Sequence, residues 1–294
     1  MALNGSGAIS LGGGTSGQSI ALELGLPTTS TISLNQSDVR GLAGVASGAI
    51  VMPTDFWGKA NEFTFSFTSG ANQNFRTLAL AAGWDGASKV VGTSSAGNIT
   101  SASTGSYAFT IDGSYPAGAT FINQATIVGR GGGGGAGHPG NSPGAGQPGG
   151  ASGNALLVSS PVTIQNLGVI RAPGGGGGGG GGSGGSIKGQ IVVAAGGGGG
   201  GGLGNGTGGA TNGQAGTLIA GGAGGGGASS AGRSLGGTGG AGGGIGSSGA
   251  TGGGGSRYFG GGGGGAGGVG GKSIQGYSLI SFTTVGTIEG PTAG

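Results

Sequence analysis

Cysteine is missing from this chain, and charged residues make up only 6 % of it. Disulfides and thiolate metal sites are therefore excluded. There is one histidine, His138. A nucleophilic triad would have to use it together with an orienting acid, and its half of the chain offers only Glu289. Aromatics reach 5 %, too few to fill a large conventional core. No run approaches the roughly 20 apolar residues of a membrane-spanning helix. Met1-Ala2-Leu3-Asn4-Gly5 carries neither a basic segment nor an apolar one, so no secretory signal is expected. What is abundant is glycine, 92 of 294 residues. Collagen would need a strict Gly-X-Y period and much proline. Here proline numbers only 9 and glycine comes in unbroken runs.

Glycine and charge divide at the same place. Residues 1–128 hold 19 glycines and a net charge of −2 (four cations, six acids); residues 129–294 hold the other 73 and a net charge of +5 (six cations, Glu289). The six cations are scattered rather than clustered, which is a poor nucleic-acid footprint. Three units are expected: 1–60, a small β-rich unit 61–128, and a glycine unit 129–294. In the first 128 residues, 20–24, 31–34 and the segments around Leu78 and Leu80 read as short strands. Residues 37–42 read as a helical turn capped by Ser37 or Asn35. Phe63, Phe65 and Phe67 alternate with polar residues, which predicts a strand. A sandwich-like core is expected between residues 55 and 110.

A weak repeat links the two parts. Residues 120–129, 163–172 and 281–290 align so that Phe121, Ile164 and Phe282 each stand six positions before Ile127, Ile170 and Ile288. Positions six apart on a strand share a face, and three copies suit coils of a solenoid. The glycine runs themselves predict order. A polyglycine II helix has three residues per turn, rises about 3.1 Å per residue and has no internal hydrogen bonds. Neighbouring helices without Cβ atoms approach closely and pair their backbone groups. The expected fold is mostly irregular and β, with a layered polyglycine II sandwich, short β segments and few or no α-helices.

A slab of this kind has no side chains inside it. Chemistry is left to the turns, and loops on a rigid scaffold are the usual place of recognition. The turns are expected at 138–143, 147–148, 186–190, 205–219, 229–235, 256–259 and 272–277. Arg257-Tyr258-Phe259 joins an arginine to the only adjacent aromatic pair of the glycine region, and such residues anchor binding surfaces. The candidate contact residues are Arg257, Tyr258, Phe259, Arg233, His138, Asn141, Lys188 and Tyr277. Residues 266–273 fit a relaxed phosphate-loop pattern, but a strand before it and a helix after it are not expected. No catalytic residue, metal or cofactor is assigned.

Two stretches resemble a known group. Residues 30–59, with Ile-Ser-Leu-Asn, Val-Arg-x-Leu-Ala-Gly-Val-Ala-Ser-Gly and Asp-Phe-Trp-Gly-Lys, resemble a segment of tail proteins from tailed bacteriophages. Leu78–Gly86 and Phe109–Pro116 continue that likeness. The glycine region is similar to the distal adhesin of T-even-type long tail fibres. The resemblance implies a virion protein, made in the host cytoplasm, at a tail or fibre tip. It implies docking on other tail proteins through the N-terminal part, with Val39, Arg40, Asp55, Phe56 and Trp57 as candidates. It also implies host recognition through loops on a layered polyglycine II scaffold, the receptor being an outer-membrane protein or surface glycan. Nucleic acid and membrane insertion are not implied. A purely structural tail-tip component is the alternative, and an ice-binding polyglycine protein a third reading.

Overall fold

The computed structural model describes residues 1–294 except 1–2, 60, 87, 140–143, 188–189, 211, 231–233 and 258–260. Residues 3–59 gather around their own small core of Leu3, Ile9, Ile20, Val39, Leu42 and Phe56. The expected strand at 20–24 is instead a helical turn, Ile20–Glu23, and 31–34 is irregular. Ser19 explains the first: its hydroxyl accepts from Leu22 N at 3.3 Å and caps the turn. The helix predicted at 37–42 is present as Ser37–Ala43 and ends at Gly44 in the left-handed conformation. Its N-cap is Gln36, with no side-chain cap bond, rather than Ser37 or Asn35.

Glu23 is a buried carboxylate in this unit. Burial pushes its pKa above the ordinary value, and the Asn61 N–H that it accepts at 2.9 Å pulls it partly back. The folded chain therefore holds the proton more tightly than the unfolded chain. The associated stability is present below the unfolded pKa and is lost as pH rises through the folded one. Glu23→Gln keeps an acceptor without the charge. It is expected to raise the urea midpoint at pH 7, and the gain should vanish below about pH 4. A gain of equal size at both pH values would refute burial as the cause.

From residue 62 the chain winds as a three-faced parallel solenoid. The first face holds Glu62–Phe67, Lys89–Ser94, Ala119–Asn123, Val162–Asn166 and Ile280–Thr284. The second holds Asn98–Thr100, Thr126–Val128, Val169–Arg171 and Thr287–Glu289. The third holds Gln73–Asn74, Tyr107–Ile111, Asn154–Val158, Ile274–Gln275 and Thr292–Ala293. The chain visits the faces in turn, and the strands within each are parallel. This replaces the expected sandwich. The ladders also run well past residue 128. The strand predicted at 63–67 is present, whereas Leu78 and Leu80 lie on a helix, Phe75–Ala81. Asn74 starts it by accepting from Thr77 N at 3.0 Å.

The three-copy repeat is a stack in register. Phe121 pairs with Ile164 and Ile164 with Phe282; Ile127 pairs with Ile170 and Ile170 with Ile288. Aromatic rings fill the early coils, with Phe109 and Phe121 4.7 Å apart and Phe67 and Phe109 5.6 Å apart. Gly92 makes room among them, because a Cβ there would meet the rings of Phe75 and Phe65.

A polar ladder climbs the corner between the first and second faces. Ser94 Oγ donates to Asn123 Oδ1 at 3.2 Å, and Asn123 Nδ2 donates to Asn166 Oδ1 at 2.8 Å. Asn166 Nδ2 then donates to the carbonyls of Val285 and Thr287 at 2.8 and 3.1 Å. Each step rises one coil. Ser94, Asn123 and Asn166 are fully buried, so these bonds satisfy groups that water does not reach.

The glycine region leaves the solenoid at one corner. Residues 129–153 are inserted between the second and third faces of the third coil, and residues 172–273 at the same corner of the fourth. In the second coil, residues 101–106 suffice there. Both excursions start and end on adjacent rungs, so their runs lie side by side.

Candidate functional site

The run Gly174–Gly182 is the centre of the slab, and all nine residues are buried. Its N–H groups serve three neighbours in rotation. Gly174, Gly177 and Gly180 donate to Leu203, Gly200 and Gly197. Gly175, Gly178 and Gly181 donate to Ser247, Ala250 and Gly253. Gly176, Gly179 and Gly182 donate to Gly150, Gln147 and Gly144. Its carbonyls accept from three further runs in the same rotation: Gly132, Gly135 and His138; Gly243, Gly240 and Gly237; Gly268, Gly265 and Gly262. Six runs therefore surround the central one, and every backbone group in it is paired. The period of three is that of a helix with three residues per turn.

Close approach requires glycine here. A Cβ on any residue from Gly174 to Gly181 would collide with a carbonyl oxygen of a neighbouring run. Outer runs relax this at every third position. Positions 235, 238, 241 and 244 are exposed and hold Leu, Thr, Ala and Gly; positions 263, 266 and 269 are exposed and hold Gly, Ala and Val. The outward face is thus written in the sequence as a three-residue spacing of the few non-glycine residues. Sequence reasoning that looks for periods of 2 and 3.6 passes over it.

The runs carry four turns to one end of the slab. The first follows His138, whose N–H donates to Gly180 O at 3.0 Å and whose carbonyl accepts from Gly196 N at 2.9 Å. The second is the antiparallel hairpin of Ser183–Ile187 with Gln190–Ala194. The third and fourth form a three-stranded patch, Ser229–Ser230, Ser234–Leu235 and Ser256–Arg257. Bridges Gly144 to Gly182 and Ser183 to Gly261 tie the turns together. The central run alone separates this end from the solenoid by about 28 Å.

The expected residues fall in three places. Asn141, Lys188, Arg233, Tyr258 and Phe259 lie outside the described residues. His138 and Arg257 are described, at the distal ends of their runs. A Cβ on Gly144 or Gly182 would strike the imidazole of His138, so that ring covers both glycines. Tyr277 is elsewhere: it opens a 3-10 turn on the solenoid, 38 % exposed, with its ring 5.6 Å from Phe282. Gln147 and Pro148 are not a turn, since Gln147 sits inside a run and bonds Ala136 and Gly179. The relaxed phosphate-loop pattern lies where a slab run returns to the solenoid, and Ser273 is buried with its hydroxyl on Pro291 O at 3.0 Å.

The N-terminal candidates also divide. Val39 and Phe56 are interior, at 1 % and 0 % exposure. Asp55 is committed to its own turn through Val51 N at 2.8 Å. Arg40 donates to Gly48 O at 2.9 Å beside a hollow of about 580 Å³ lined by Asn35, Ser37, Gly44 and Val45. Trp57 keeps an exposed face while its indole N–H donates to Gly7 O at 2.9 Å.

Comparison with known proteins follows the same division. The model of a family described as phage tail fibre adhesin Gp38 matches residues 62–293. The match begins at the first strand of the solenoid and leaves residues 1–61 outside it. Among solved structures, the gp37-gp38 adhesin tip complex of the bacteriophage S16 long tail fiber is similar at 26 % identity. That alignment covers 96 % of this chain and 99 % of that chain, with a TM-score of 0.46. No curated protein matches.

Proposed function

Because the chain belongs to the Gp38 family of phage tail fibre adhesins, we propose that it sits at a virion tail-fibre tip and binds a host surface receptor through the distal turns of its glycine slab. The observation that carries this is the convergence of four turns at one end of a hydrogen-bonded lattice. We read the lattice as polyglycine II packing. It carries the distal ends of its runs far from the solenoid, and its central run has no side chains to do chemistry. Recognition without catalysis is the reading that suits it, with weak contacts summed over copies on the particle.

Attachment we assign to residues 1–60. They have their own core and lie outside the family match. A tail fibre adhesin needs a fibre or tail protein to carry it, and the half-buried Arg40 and the exposed Trp57 are the candidates for that contact.

The test is deletion of Arg257–Phe259 in the phage. Adsorption is expected to fall by about tenfold or more, with particles of normal number and composition. Unchanged adsorption would favour a purely structural tail-tip component.

A further inference from the structure

Three asparagines of this chain are followed by glycine: Asn4, Asn205 and Asn212. A glycine has no side chain to shield its amide nitrogen, so that nitrogen can reach the carboxamide of the asparagine before it. Two of the pairs lie in the glycine slab, and their asparagines are alike. Asn205 stands at φ 60° and Asn212 at φ 66°, and both are exposed. An L residue is strained in that left-handed region, so the backbone angle does not distinguish them. The amide that follows does.

Gly206 is buried, and its N–H donates to Gly202 O at 3.0 Å. Its carbonyl accepts from Gly216 N at 2.8 Å, so this pair is built into the lattice. Gly213 is half-buried, and among the described residues its N–H has no hydrogen-bond partner. Every amide of the central run is paired; this one is not, and it adjoins an exposed carboxamide. We propose that Asn212–Gly213 is a site of spontaneous covalent modification, deamidation through a cyclic imide, and that the lattice protects Asn205–Gly206 from the same reaction.

The reaction needs only water as a co-reactant. Gly213 N attacks Asn212 Cγ and forms a C–N bond. The Cγ–Nδ2 bond breaks, and the side-chain nitrogen leaves as ammonia with the proton of the Gly213 amide. Water then opens the imide. Cleavage of the new bond at Cγ gives aspartate; cleavage at the main-chain carbonyl gives isoaspartate, with the chain running through Cβ and Cγ. Either product places a carboxylate at 212, within a stretch from 113 to 288 that has no acid of its own. Isoaspartate also lengthens the backbone just before Gln214. That residue accepts from Gly201 N at 2.8 Å and donates to Ala223 O at 2.9 Å, so the change falls where the register of this run against its neighbours is set.

The experiment ages the full chain at mildly alkaline pH, with a parallel sample kept unfolded in urea. Conversion at each asparagine is followed over time by peptide mapping with mass spectrometry, and isoaspartate by enzymatic methylation. In the folded chain Asn212 is expected to convert at least about tenfold faster than Asn205, because reaction at Gly206 first requires a buried hydrogen bond to open. In urea the two are expected to convert at about the same rate, since neither amide is held there. Asn205 converting as fast as Asn212 in the folded chain would overturn the inference, because the lattice bond would then give no protection. A ratio that persists in urea would also overturn it, since neighbouring residues rather than the fold would set the rates. So would an Asn212 that converts in urea but not when folded, because its turn would then keep the amide from the carboxamide. None of these outcomes bears on the adhesin reading, which rests on the family match and the distal turns.

Discussion

Gly177→Ala is expected to lower the stability of the slab by about 3–5 kcal/mol, and Gly263→Ala to raise it slightly. The two substitutions are chemically identical and both lie in glycine runs. At Gly177 the new Cβ would collide with the carbonyl of Gly240. Relief requires the runs to separate. Overpacking costs about 1–3 kcal/mol and sometimes more. Separation also loosens the bonds from Gly177 N to Gly200 O and from Gly135 N to Gly177 O, 2.8 Å each, at about 1 kcal/mol apiece. A side chain has no rotamer to escape into, because the obstacle is backbone on every side. At Gly263 nothing lies within 4 Å of the place a methyl group would take, and the residue is exposed. There the only effect is a less flexible unfolded chain, worth about 0.4–1 kcal/mol in favour of folding. Urea denaturation of the two single variants beside the parent decides it. Shifts of the same sign would mean that the lattice does not depend on close backbone approach.

The second large effect is expected at the polar ladder. Asn123→Leu should destabilise the solenoid by about 3–5 kcal/mol. Asn123 Oδ1 accepts from Ser94 Oγ and from Ala125 N, while Nδ2 donates to Ala125 O and to Asn166 Oδ1. Leucine abandons all four. The Ala125 N–H and Asn166 Oδ1 are left buried without that partner, at about 1–3 kcal/mol each. Ser94→Ala removes one rung and the bond that Ser94 Oγ accepts from Gln124 N at 3.0 Å, while Asn123 Oδ1 keeps its bond from Ala125, so a loss of about 1–2 kcal/mol is expected. Thermal unfolding of the two variants gives the ratio. Equal losses would mean that the ladder acts through volume rather than hydrogen bonding.

Part of this structure was legible in the residues. The alternation of Phe63, Phe65 and Phe67 marked a strand because period 2 has one physical meaning. The alignment of Phe121, Ile164 and Phe282 marked three coils because in-register parallel stacking places like residues on like. The pure glycine of 174–182 marked a place where backbone meets backbone. Other segments misled for local reasons. Leu78 and Leu80 suit either period over so short a span, and the Asn74 cap settled the helix. Residues 20–24 suit a short strand by length, yet Ala21, Leu22 and Glu23 are good helix formers and the Ser19 cap turned them. For the candidate site, the sequence could not tell which run ends lie together, and it did not separate Tyr277, which stands on the solenoid, from the slab.

What the sequence determined by itself is composition translated into packing. Runs without Cβ must bury backbone against backbone, and side chains must gather in the turns. It also set the sign of the charge there, since no acid intervenes from residue 113 to 288. What only the tertiary structure decided is adjacency. One glycine run is indistinguishable from another by side-chain pattern, so nothing local says that 174–182 takes 144–150 rather than 213–217 as a neighbour. The solenoid resolves it by launching both excursions from one corner on successive rungs. Register along its ladders then sets which runs lie together and which turns meet at the distal end. The placing of His138 and Arg257 at the distal ends of their runs, with Tyr277 left behind on the solenoid, follows from that geometry.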